Sequence, residues 1–138
     1  MSVILLRHAS AGDRDAWHGD DRLRPLDKRG EAQALSLRDL LLLRGVTRVV
    51  SSPSLRCMQT VAPLGLAIVS DERLAEGADV EETFALLHDL DGAVACTHGD
   101  VIEAVLGHGL KKGAGAVLDD YLHEVETIPP TVRRRRPD

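Results

Sequence analysis

Residues 3–10 read Val3-Ile4-Leu5-Leu6-Arg7-His8-Ala9-Ser10. Four apolar residues in a row are too few for a helix, which needs ten or more, and fit a strand buried on both faces of a parallel sheet. That strand runs straight into Arg7 and His8, and a turn of small residues containing Gly12 follows. In open α/β sheets ligands bind at the carboxyl ends of the strands, where the loops converge on one crevice. Taken alone, an arginine and a histidine after a strand also fit a salt bridge and a helix cap. Whether they mean more depends on what the other strands end in.

Two further apolar runs end in comparable residues. Residues 46–50 lead into Ser51-Ser52-Pro53-Ser54-Leu55-Arg56, and residues 93–96 lead into Thr97-His98-Gly99-Asp100. Between these runs the pattern alternates strand and helix. Residues 9–28 form a long polar loop without periodicity, and a loop of that length in a compact domain is usually functional or disordered. Asp27 reads as the N-cap of a first helix whose stripe is Leu35, Leu37, Leu40, Leu41 and Leu43, ended by Gly45. A second helix is expected over 54–64, with Pro53 suited to its first turn. A third strand is expected over 66–69, a third helix over 80–90 with Val80, Thr83, Phe84, Leu87 and Leu90 on one face, and a fourth helix over 101–110. Residues 114–118 and 121–127 read as a β-hairpin around Asp119-Asp120. This order predicts an α/β fold, a three-layer α/β/α sandwich with a mostly parallel central sheet.

Composition narrows the function classes. At 138 residues the chain is expected to be one domain over 1–128, followed by a flexible Pro/Arg-rich tail over 129–138. The aromatic residues are Trp17, Phe84 and Tyr121 alone, so the core must be aliphatic and no stacking platform for single-stranded nucleic acid is expected. The net charge is −5, and without residues 129–138 the chain carries 13 basic against 21 acidic residues. A body that acidic repels a nucleic-acid polymer. Cys57 and Cys96 make no disulfide framework. Nothing reads as a signal peptide and no apolar run reaches a membrane span, so a soluble, cytoplasmic protein without a membrane partner is expected. The sequence leaves the oligomeric state open. His18, His88, His108 and His123 are scattered without metal-ligand spacing, so no metal is expected.

Arg7, His8, Arg56 and His98 would share one edge of a parallel sheet. Two arginines and two histidines there make a positive pocket in a negative protein, which suits a phosphate dianion, since each guanidinium offers a planar fork of donors. Helices starting near Ser54 and Asp100 would add amide N–H groups and positive dipole ends.

The segments Leu6-Arg7-His8-Ala9, Arg24-Pro25-Leu26-Asp27-Lys28-Arg29-Gly30, Ser52-Pro53-Ser54-Leu55-Arg56-Cys57-Met58-Gln59-Thr60 and Thr97-His98-Gly99-Asp100 together resemble the histidine phosphatase superfamily, also called phosphoglycerate-mutase-like. The short length and the Arg-Pro-Leu segment resemble its SixA-type phosphohistidine phosphatases. The chain is also similar to the phosphatase domain that follows a Nudix domain in some bacterial proteins. The resemblance implies that His8 is the nucleophile of a phosphohistidine intermediate, with Arg7 and Arg56 on the phosphoryl oxygens and His98 completing the clamp. It implies a phosphatase without metal or cofactor, acting on a phosphoprotein or a small phosphorylated metabolite or nucleotide. Glu76 matches the position of a proton donor in many members, with Glu81 and Glu82 as alternatives on the next helix. Ser10, Arg24 and Lys28 are candidates for substrate contact, although Arg24 and Lys28 fit a loop anchor as well. The chain has Arg-His-Ala where the family usually has Arg-His-Gly, which disfavours a backbone conformation open only to glycine. Two alternatives stand beside the phosphatase: a phosphotransferase or mutase of the same family, and a phosphate-recognition module without turnover.

Overall fold

The computed structural model describes residues 2–130. Six strands form one sheet in the order β3-β2-β4-β1-β5-β6. Val3–Arg7 (β1) and Ala93–Thr97 (β4) lie side by side in parallel, and β4 pairs in parallel with Arg48–Ser51 (β2), which pairs in turn with Ile68–Ser70 (β3). Gly115–Leu118 (β5) runs antiparallel to β1, and Glu124–Ile128 (β6) runs antiparallel to β5 with an irregularity between Val117 and Leu118. The sheet is therefore parallel over four strands with an antiparallel hairpin on one side.

Alternation along the strands builds the three layers, because successive side chains point to opposite faces. Val3 and Leu5 of β1, Val50 of β2 and Ala93 and Ala95 of β4 join Leu86, Leu87 and Ile102 in one core. Those three come from Val80–His88 (α3) and Gly99–Leu106 (α4). Ile4, Leu6, Val49, Val94 and Cys96 face the other way and join Leu37, Leu41, Cys57 and Val61. These belong to Lys28–Leu43 (α1) and Leu55–Val61 (α2). With both sheet faces covered, β1 is buried throughout except at Arg7, as its continuous apolar run requires.

Several boundaries differ from the sequence reading. The second helix stops at Val61 and tightens into a 3-10 turn over Ala62–Leu64, where Pro63 cannot donate to an α-helical ladder. The third strand is Ile68–Ser70 rather than 66–69, and α3 and α4 each end earlier than expected, α4 at Leu106 with Gly107 as its left-handed cap. Of the face expected on α3, Thr83 and Leu87 are buried and Phe84 is half-buried, while Leu86 takes a core place that had not been assigned to it. The 9–28 loop holds two single 3-10 turns, Arg14–Ala16 and Asp21–Leu23, each started by an aspartate side chain accepting from the backbone two residues on. The tail expected over 129–138 lies, from residue 131 onward, outside the described residues. No helix among the described residues is long and apolar enough to cross a membrane.

Candidate active site

The neighbouring carboxyl ends of β2, β4 and β1 bring the first site residues together. Arg7 closes β1 and His8 follows it, His98 follows β4 as the N-cap of α4, and Arg56 lies in the first turn of α2 beyond β2. The His8 and His98 rings stand edge to face with centroids 5.5 Å apart.

His8 is 5% exposed. Its backbone N–H donates to Thr97 O at 3.0 Å, and its ring Nδ1 lies 2.8 Å from Ala9 O. A carbonyl can only accept, so Nδ1 carries the proton and the Nε2 lone pair is left free. Burial, opposed by the hydrogen bond to the Ala9 carbonyl and reinforced by His98, Arg56 and Arg7, pushes the imidazole pKa down to about 3. His8 is thus a neutral imidazole at physiological pH. Ala9 is fully buried, and Leu122 is the one non-glycine residue with positive φ among those described, so position 9 makes no demand that only glycine meets.

Arg56 is 1% exposed and holds several partners. Its Nη1 donates to Asp21 O at 2.8 Å, and its Nη2 lies 3.0 Å from Asp21 Oδ2, 3.4 Å from Glu76 Oε2 and 3.3 Å from His98 Nδ1. A guanidinium only donates, so His98 Nδ1 accepts and its Nε2–H is directed to Ser52 Oγ at 2.8 Å. Arg7 Nη1 donates to Leu110 O at 2.7 Å. A Cβ on Gly99 would stand 3.0 Å from Arg7 Cζ and Nη2, so the missing side chain lets the guanidinium lie against the start of α4. The Nε–H groups of Arg7 and Arg56 are both buried and have no acceptor among the described residues.

Glu76 reaches the site from the loop after β3. Its Oε2 accepts from Arg14 Nη2 at 2.6 Å and lies near Arg56 and, at 3.9 Å, His98 Nδ1. Glu81 and Glu82 are exposed on the first turn of α3. Ser10 and Arg24 hold the loop. Ser10 Oγ donates to Asp27 Oδ2 at 2.8 Å, and buried Arg24 donates to Ala11 O and pairs with Asp21 at 3.1 Å. Lys28 is exposed at the start of α1. Asp27 organises this corner: besides Ser10, its carboxylate accepts from the amides of Gly12 and Gly30, which together outweigh burial and hold it below the usual carboxylate range.

Sequence reasoning missed four contributors. Ser52 fixes the His98 ring, and Thr60 accepts from Ala9 N at 3.0 Å while donating to Arg56 O at 2.7 Å, tying the His8 segment to α2. Both stand inside the quoted Ser52–Thr60 motif, whose spacing was the available signal. Asp21 and Arg14 come from the aperiodic loop, where nothing in the local pattern marked them. Burial pushes the Asp21 carboxyl up, but Arg24, Arg56 and Arg14 bring it below the ordinary range. Among the described residues no three His, Cys, Asp or Glu side chains gather as a metal site.

Comparison with known proteins identifies the chain's relatives. A family profile described as the histidine phosphatase superfamily (branch 1) matches residues 3–84. The 8-oxo-(d)GTP phosphatase of Mycolicibacterium smegmatis is 37% identical over 116 residues, covering 76% of this chain but 36% of that protein. The chain therefore spans about a third of the length of the curated relative it matches. A protein from Agrobacterium tumefaciens assigned to the phosphohistidine phosphatase SixA superposes with a TM-score of 0.74 at 26% identity, over 94% of this chain and 97% of its own. The protein histidine phosphatase SixA in complex with tungstate superposes with a TM-score of 0.76 at 22% identity, with the same coverage, and shows a common fold.

Proposed function

The chain belongs to the histidine phosphatase superfamily, and we propose that it is a metal-independent phosphatase in which His8 receives the phosphoryl group. The Nε2 lone pair attacks phosphorus as the bond to the leaving group breaks, and the leaving group departs with that electron pair. A water oxygen then attacks the phosphohistidine, the Nε2–P bond breaks and its electrons return to the ring. One water proton is lost and inorganic phosphate is released. Arg7 and Arg56 donate to the phosphoryl oxygens, and His98 joins them when a proton on Nδ1, the nitrogen now facing Arg56, makes it a donor to the incoming anion, so catalysis consists of positioning and charge stabilisation.

The observation that carries this reading is the pair of buried arginine Nε–H donors without acceptors, beside a neutral histidine with a free Nε2. Each unsatisfied donor costs on the order of 1–3 kcal/mol, and an anion between them removes that cost. Substrates in keeping with the relatives' names are a phosphohistidine protein, a nucleotide or another small phosphorylated metabolite. Glu76 borders the clamp through Arg56 and the long loop through Arg14. Ion-paired to two guanidinium groups, it is arranged as a charge partner, and it serves as a proton donor only once a substrate anion draws those cations away.

Rapid quench into alkaline detergent with a substrate labelled in the transferred phosphoryl group should trap a phosphoenzyme that is stable in base and loses its label in acid. His8→Ala should lose the label and roughly three or more orders of magnitude in turnover. Turnover at the wild-type rate in that variant would sink the mechanism.

A further inference from the structure

Outside the four-residue clamp the next cation is Arg14, on a 3-10 turn of the long loop, with its side chain 55% exposed. It touches the same carboxylate oxygen as the clamp does. Glu76 Oε2 lies 2.6 Å from Arg14 Nη2, 3.4 Å from Arg56 Nη2 and 3.9 Å from His98 Nδ1. One negatively charged oxygen thus bridges the buried phosphate-holding arginine and an exposed arginine at the mouth. Glu76 is itself 40% exposed, so its side chain has solvent to turn into when another anion takes its place. The loop that carries Arg14 is fixed at its far end, where Asp21 binds Arg56 and Arg24 and Arg22 pairs with Glu72 through both carboxylate oxygens at 2.9 Å, and Asp21 Oδ1 lies 3.7 Å from Arg14 Nε. Arg14 is therefore held at the mouth by a braced loop.

We propose that Arg14 reads a second anionic phosphoryl group joined directly to the one being transferred, so that the favoured substrates are phosphoric anhydrides with a terminal diphosphate linkage. This rests on the phosphatase reading above and narrows its substrate class. Two phosphoryl groups sharing one bridging oxygen present adjacent anionic oxygens, which is the spacing that a clamp arginine and a mouth arginine meeting at one atom will take. A second anion several bonds away falls beyond Arg14, and the neutral imidazole released from phosphohistidine gives Arg14 nothing to bind. The chemistry agrees with the ion-paired state of Glu76, because the departing phosphate is a stable anion that needs no proton from it.

The test uses inorganic phosphate and methylenediphosphonate, a diphosphate that cannot be hydrolysed, in calorimetric titrations of wild type, Arg14→Gln and Glu76→Gln. Wild type should bind methylenediphosphonate roughly tenfold more tightly than phosphate, the size expected of one charge-assisted contact. Arg14→Gln should collapse that ratio towards one, and Arg14→Lys should restore part of it. Glu76→Gln, by freeing Arg14 from its partner, should raise it. In turnover, the Arg14→Gln loss should fall on KM for a nucleoside diphosphate far more than on KM for phosphoimidazole, whereas a purely structural role would move both alike. An unchanged ratio in Arg14→Gln, or equal binding of both anions by wild type, overturns the assignment while phosphate binding and the His8 phosphoenzyme keep the phosphatase reading intact. Failure of wild type to bind phosphate at all overturns both.

Discussion

At His8 two measurable consequences come from one perturbed group. The unfolded chain takes up a proton at this residue near the ordinary pKa of 6.5, and the folded chain does so only at about 3. Between those values the unfolded state binds more protons, so stability falls as pH falls through this window, by up to about 1.4 kcal/mol per pH unit from this residue, and is flat with respect to His8 above it. Denaturant titrations of wild type and His8→Gln between pH 6.5 and 4 should therefore diverge in slope, with the wild type steeper, and parallel curves would refute the shift. The same property leaves the nucleophile unprotonated in acid. The pH profile of kcat/KM should show no loss of activity attributable to His8 near pH 6.5.

At the level of elements, the joint between α1 and the loop after β1 sets the site's tolerance. Gly30 packs so closely that a Cβ there would stand 1.9 Å from Ser10 O, and neither side of that contact is a movable side chain. Gly30→Ala should lower stability by about 1–3 kcal/mol or more, through forced separation of two backbone segments. It should also reduce turnover, because Ser10 lies two residues from the nucleophile. Thermal unfolding with the activity of the folded fraction checks both, and a variant as stable and active as wild type would show that the joint is not rigid. These elements were also where the sequence was most informative. The apolar runs before Arg7, Ser51 and Thr97 placed three strand ends on one edge, and Asp27 was legible as a cap because its position before Lys28 follows local backbone rules. The helix ends were less legible, since Pro63 and Gly107 act through backbone geometry and side-chain periodicity does not register them.

Across the whole molecule, the two-faced core follows from side-chain alternation along the strands, and the α/β sandwich was expected from the alternation of strand and helix along the chain. What the sequence did not disclose is the docking of residues 13–23 onto Arg56. That contact joins Asp21 to a residue more than thirty positions away, as Arg14 is joined to Glu76, and polar contacts between distant segments leave no period in a single chain. The difference should be visible as unequal local stability. Amide exchange should be slowest in the central strands β1 and β4 and much faster across residues 13–23, whose bonds are mostly short-range and solvent-facing. Protection of that loop equal to the sheet's would show that it opens only with global unfolding.

The partner that orients the His8 ring is the carbonyl of the very next residue. A carboxylate in that position is lost by one substitution and neutralised by acid, whereas a peptide oxygen is present whatever side chain position 9 carries and keeps its dipole at every pH. The choice of ring tautomer is therefore written into the main chain, and drift in the neighbouring side chains leaves it untouched for as long as β1 keeps its place beside β4.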